Sequence, residues 1–198
     1  MRYKFWLIRL ILFVGFYVPY FYAQPHFTCT LINDSLTAPN VYEFDIYMVS
    51  NDTSTIELAG INFGFLYNTQ VQDTGTITVS WVPKSSELTN ISQLPRNFKA
   101  TIGKKDSSNV GIIIIGPRIP PGHGNGSIIS IKGLGTKIGR LRLSNSINFT
   151  SAQMNIEWNF LKTKGLYPTT ITAYINKLNT SVTSLGTYES KLVNPVLK

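Results

Sequence analysis

From residue 24 onward the chain repeats its apolar side chains every second position, and no window places them at i, i+3, i+4 and i+7 over three turns. A period of two belongs to strands, whose successive side chains leave opposite faces of the pleat. Tyr42, Phe44, Ile46 and Met48 share one face, while Glu43, Asp45 and Tyr47 share the other. Leu141 and Leu143 point inward between outward Arg140 and Arg142. Ile171, Ala173 and Ile175 point inward and leave Thr172 and Tyr174 outside. One apolar and one wet face per strand is what an antiparallel sheet allows.

Ten strands are expected, over about 27–32, 41–49, 55–67, 75–82, 96–102, 110–116, 127–132, 136–144, 154–161 and 168–178. Turn chemistry separates them at Asn33-Asp34, Asn51-Asp52, Asp73-Thr74-Gly75, the 106–109 stretch and the glycine-rich 122–126 stretch. Many short strands with regular turns predict an all-β antiparallel sandwich of nine or ten strands. Inward parity switches between Leu58 and Ile61, so one extra residue at Ala59-Gly60 is expected to form a β-bulge. Ile112 to Ile115 do not alternate and read as a strand buried on both faces. No repeat of 20–50 residues is visible, which excludes solenoids and propellers.

Residues 1–23 follow another logic. Arg2, Lys4 and Arg9 precede the apolar run Leu10 to Val18, Pro19 ends it, and Ala23 offers a cleavage point. That order is a secretory signal. An uncleaved anchor over Phe5 to Ala23 is the other reading, interrupted by Arg9. Both export residues 24–198, a span that one core accommodates, and membrane contact is expected only through an uncleaved signal. Those residues keep 15 of the 18 basic side chains and all ten acids, so the net charge falls from +8 to +5. The basic side chains are dispersed, with no stripe of the kind nucleic acid requires. Cys29 is the single cysteine, so no internal disulfide forms, and no metal-ligand spacing or cofactor motif accompanies it.

Catalytic chemistry needs converging ionisable groups, and few are offered. His26 lies near the expected mature terminus and His123 in a glycine turn. Glu43 and Asp45 are neighbours on a wet face, where i, i+2 carboxylates are expected to be solvated. Gly133 to Gly139 imitates a phosphate loop but runs into a strand rather than a helix. Trp81 and Trp158 share parity with apolar neighbours and are expected in the core. Candidate ligand contacts are the outward Tyr47 and Tyr174, Tyr167 in a turn, and His123 and Asn125 in the proline- and glycine-rich loop 116–126. That loop either holds a ligand through its backbone or forms a rigid crossover between sheets. Six Asn-x-Ser/Thr sequons, at Asn33, Asn51, Asn90, Asn125, Asn148 and Asn179, carry no conclusion in a chain this rich in those residues.

The segments Tyr42 to Tyr47, Glu57 to Gly64, Gly75 to Val82, Pro120 to Ser130, Gly133 to Leu143 and Asn194 to Leu197 together resemble a family. It is the cohesin-like N-terminal module of large exported, type IX secretion-associated proteins of Bacteroidota, within the carbohydrate-binding-module-like superfamily. The resemblance implies a jelly-roll sandwich used as a scaffold, with no contact residue transferable position by position. The expected function is non-catalytic binding or adhesion outside the cell, toward polysaccharide or another surface protein. A display domain that binds nothing is the alternative, and a hydrolase with paired carboxylates is the third reading.

Overall fold

The computed structural model describes residues 24–102, 109–161 and 168–196. The expected signal segment 1–23 lies outside them. Twelve strands form: β1 (Phe27–Ala38), β2 (Val41–Ser50), β3 (Ile56–Asn68), β4 (Ile77–Trp81), β5 (Asn97–Ile102), β6 (Val110–Gly116), β7 (Ile128–Ile129), β8 (Thr136–Asn145), β9 (Glu157–Trp158), β10 (Thr170–Ile175), β11 (Leu178–Ser181) and β12 (Gly186–Ser190). One sheet runs β12-β1-β2-β8-β4. The other runs β11-β10-β3-β6-β5, with β7 and β9 also paired to β3. Among the described residues the only helical turns are three short 3-10 turns, and no helix is long and apolar enough to cross a membrane.

The all-β sandwich agrees with the alternation. The inward sets of β2, β3, β8 and β10 interleave: Phe44, Ile46, Phe63, Phe65, Leu141 and Ile171 are each at most 1% exposed. Phe44 meets Phe65 edge-on with ring centroids 5.7 Å apart, which ties one sheet to the other. Each such buried side chain contributes about 1.5–3 kcal/mol relative to exposure. Trp81 and Trp158 pack against this core, as expected. The parity switch in β3 is a bulge: Thr172 pairs with Gly60 and Ala173 with Leu58, which leaves Ala59 as the extra residue.

Three expectations need correction. The described residues form twelve strands rather than nine or ten, because β11 and β12 carry no apolar alternation; β12 pairs with β1 in parallel. Asn33-Asp34 is not a turn but an irregularity inside a β1 that continues to Ala38. Asn33 takes φ 57° there, and buried Asp34 accepts hydrogen bonds from Tyr42 Oη and the Val193 and Asn194 N–H groups. Those bonds fix the C-terminal segment against the bulge. Third, the loop after β6 does not cross between sheets. β6 pairs with Phe63–Asn68 and β7 with Ile56–Glu57, so the chain leaves β3 after Gly116 and rejoins the same strand at Ile128.

Candidate functional site

The break between β6 and β7 is filled by a side chain. Gln93 Nε2 donates to the Leu58 carbonyl at 2.7 Å, and its Oε1 accepts the Ser127 N–H at 2.6 Å. Gln93 is 2% exposed. It replaces a stretch of ladder and frees residues 117–126 to stand away from the sheet. Buried backbone groups must be paired, so a gap in the ladder requires such a filler.

The freed loop is anchored by three side chains from outside it, those of Glu57, Tyr174 and Asn90. Glu57 Oε1 accepts the N–H groups of Gly124 at 2.6 Å and Gly126 at 3.0 Å. Tyr174 Oη accepts the Gly122 N–H at 2.7 Å. The Asn125 carbonyl accepts Asn90 Nδ2 at 2.8 Å, and His123 Nε2 lies 3.6 Å from Glu57 Oε2. Gly122 and Gly124 take φ of 92° and 87°, the left-handed region that glycine enters without a Cβ penalty. A Cβ on Gly126 would fall 2.2 Å from the Leu58 carbonyl oxygen, so the loop meets β3 only because that position is bare.

Standing over β3 and β10, the loop walls a groove of about 370 Å³. β3 supplies Gly60, Ile61 and Asn62, and β10 supplies Thr170 and Thr172. The loop contributes Pro117, Arg118 and Pro120, with Asn179 of β11 at the far side. Volumes of this order belong to small-ligand or peptide-residue seats. Gly60 keeps the floor low: a Cβ there would sit 3.2 Å from Thr172 Oγ1. Asn62 is 4% exposed; its Nδ2 donates to the Pro168 carbonyl and its Oδ1 has no hydrogen-bond partner. An unpaired buried acceptor costs about 1–3 kcal/mol. A second groove, of about 330 Å³, lies on the other side of the same loop arm, lined by Ser92, Asn97, Pro117, Arg118 and Ile119.

Three of the five residues singled out from the sequence come together here. The His123 ring stands edge-on to Tyr174 with centroids 5.9 Å apart, and Asn125 lies two residues along the same loop. They hold the loop rather than line the groove. Tyr47 is elsewhere, on β2 of the other sheet, with Lys137 Nζ 5.8 Å from its ring centroid. Tyr167 lies outside the described residues. Glu57, Gln93, Asn62 and Arg118 were not singled out. Their parts depend on the loop returning to β3, a long-range pairing that leaves no local signature.

The wet face expected for Glu43 and Asp45 is corrected as well. Both are buried, 5% and 4% exposed. Register places Glu43 opposite Arg142 and Asp45 opposite Arg140. Arg140 then bridges the pair, with Nε 2.7 Å from Glu43 and Nη1 2.9 Å from Asp45, while Arg142 holds Glu43 and Lys137 holds Asp45. The Asn33 carbonyl and Ser35 Oγ of the β1 irregularity accept two further Arg140 donors, on Nη1 and Nη2. Burial alone pushes both carboxyls up in pKa. The hydrogen bonds from Arg140, Arg142 and Lys137 outweigh it and hold both below the usual carboxylate range. Carboxylates held ionised in this way are unsuited to donate a proton near neutral pH.

Among the described residues no three His, Cys, Asp or Glu side chains group as metal ligands. No protein-family model matches the chain, and no curated protein matches it. Among solved structures it is similar to the seventh ScaB type I cohesin of Pseudobacteroides cellulosolvens. Sequence identity there is 10%, the TM-score is 0.43, and the match covers 84% of this chain and 88% of that one. It is also similar to endoglucanase CelQ of Clostridium thermocellum complexed with cellotriose, at 11% identity and TM-score 0.33, covering 92% of this chain and 30% of that one.

Proposed function

We propose that the chain is an exported, non-catalytic binding or adhesion module that seats its ligand in the groove beside loop 117–126. The observation that carries this is the loop itself. It leaves the sheet, is anchored by Glu57, Tyr174 and Asn90, and so presents a wall built before any ligand arrives. A surface fixed in advance loses less conformational entropy on binding. Function on β-sandwiches characteristically sits on such loops. Export rests on residues 1–23, and membership among Bacteroidota exported modules rests on the ordered segments from Tyr42 to Leu197. The engagement of Glu43 and Asp45 by arginine supports the non-catalytic reading.

The test is retention of the purified protein on immobilised polysaccharides and on isolated outer-surface proteins, compared with a Thr172→Arg variant whose side chain fills the groove. A ligand held about tenfold more weakly by a variant of unchanged melting temperature is the expected result. A ligand held equally by both proteins would move the seat out of the groove, and no ligand at all would leave the display-domain reading in its place.

A further inference from the structure

Arg118 separates the two grooves described above and lines both. Among the described residues neither groove is lined by an acidic side chain, and the Arg118 guanidinium makes no hydrogen bond or ion pair there. Arg140 shows what this chain does with an arginine it uses internally: every arm of the fork finds an oxygen. Arg96, exposed and equally unpaired, adjoins the second groove through Asn97, and its N–H donates to the Gly116 carbonyl. This corner is therefore cationic and lacks its own counter-charge. A guanidinium fork left open in this way matches a carboxylate in bidentate geometry.

Two features decide which kind of anionic partner fits. Among the described residues no aromatic ring lines either groove, and Tyr174 of β10 has its oxygen engaged by Gly122 and its ring flanked by His123. Among those residues a sugar chain would find no stacking face. Next to Arg118, Ile119 stands 91% exposed between Arg118 and Pro120, and Ile91, beside Ser92 of the second groove, is 53% exposed. A sugar leaves such side chains in water, whereas an apolar pocket on a protein removes them from it. Prolines on both sides hold Ile119 out with little entropy left to lose. Arginine and a projecting aliphatic residue at the centre of a polar rim are what protein interfaces use as anchors.

We infer that this corner docks an acidic, extended segment of another protein, with its carboxylate on Arg118 and an apolar surface against Ile119. The inference rests on the groove being the ligand seat, and it adds the chemistry of the occupant.

The experiment pans a random-peptide phage library against the full chain, then measures the enriched peptides by fluorescence anisotropy at low and high salt. The variants are Arg118→Glu, Ile119→Ser and, as a charge-matched control in a distant turn, Lys132→Glu. Peptides rich in Asp or Glu beside an aliphatic residue are expected. Arg118→Glu should weaken them about tenfold or more, Ile119→Ser by a smaller factor, and Lys132→Glu little, with affinity falling as salt rises. Melting curves confirm that the variants fold. Enrichment of neutral peptides insensitive to Arg118→Glu but lost in Thr172→Arg would overturn the acidic occupant while keeping the groove. Arg118-dependent retention on polygalacturonate but not dextran, with no peptide enriched, would overturn the protein partner in favour of an acidic sugar. No enrichment and no retention would overturn both.

Discussion

Glu57 Oε1 lies 2.6 Å from the amide nitrogen of Gly124, and this carboxylate on the outer face of β3 is what closes loop 117–126 down upon the sheet. A charged acceptor shared by two backbone donors is worth more than a neutral one, about 1.5–3 kcal/mol per bond at most. Glu57→Ala should therefore lower stability by about 1–3 kcal/mol in urea unfolding and weaken any ligand that also responds to Thr172→Arg. Unchanged stability and unchanged binding would mean that the loop is held by other means.

Arg140 is the keystone of the opposite sheet face, and its loss leaves two buried carboxylates with one basic partner each, Arg142 for Glu43 and Lys137 for Asp45. Arg140→Ala should cost about 3–5 kcal/mol, as broken buried pairs do. The acid limb follows from the same groups. Both carboxyls titrate lower in the folded chain than in the unfolded one, so the unfolded state binds protons first as pH falls. Their stabilisation is fully present above about pH 4–5, the unfolded range for Asp and Glu, and is lost as pH drops through the folded values. Urea midpoints measured from neutral pH down to acid should fall steeply for wild type. For Arg140→Ala the slope should be shallower; parallel curves would contradict this reading.

Asp34 joins the β1 irregularity to the C-terminal segment through Tyr42, Val193 and Asn194. Asp34→Ala strands these donors, at about 1–3 kcal/mol for each one left unpaired in the interior. Limited proteolysis should then cut within residues 191–196 well before the rest of the sandwich. Resistance equal to wild type would show that strand β12 alone retains the segment.

Cys29 is fully buried on β1, and burial pushes its thiol pKa far up. A thiol-specific reagent should react only at the rate at which the protein unfolds, and fully once urea is added. Fast labelling of the native protein would place β1 outside the core.

How much of this was legible follows from the kind of information each part needs. Phe44, Leu141 and Ile171 announce their faces by parity with near neighbours, and the Ala59-Gly60 bulge shows in a parity switch within one strand. β11 has no such marker: Leu178, Asn179, Thr180 and Ser181 are all exposed, so nothing in their order separates them from a loop. Glu43 and Asp45 looked solvated because their partners lie nearly a hundred residues away, joined only by the β2–β8 register. The loop that builds the groove was visible as an unusual stretch, with His123 and Asn125 in it. Its anchor Glu57 and filler Gln93 were not, since both act where the chain rejoins β3, and one sequence does not disclose that pairing.

The preformed loop is the claim on which the binding reading stands, and backbone hydrogen exchange in the unliganded protein tests it most directly. The Gly122, Gly124 and Gly126 amides should exchange at least about tenfold more slowly than that of Gly133, a turn glycine whose N–H is held by no hydrogen bond among the described residues. Exchange at the same free rate in all four would contradict a fixed wall and remove the seat proposed for the ligand.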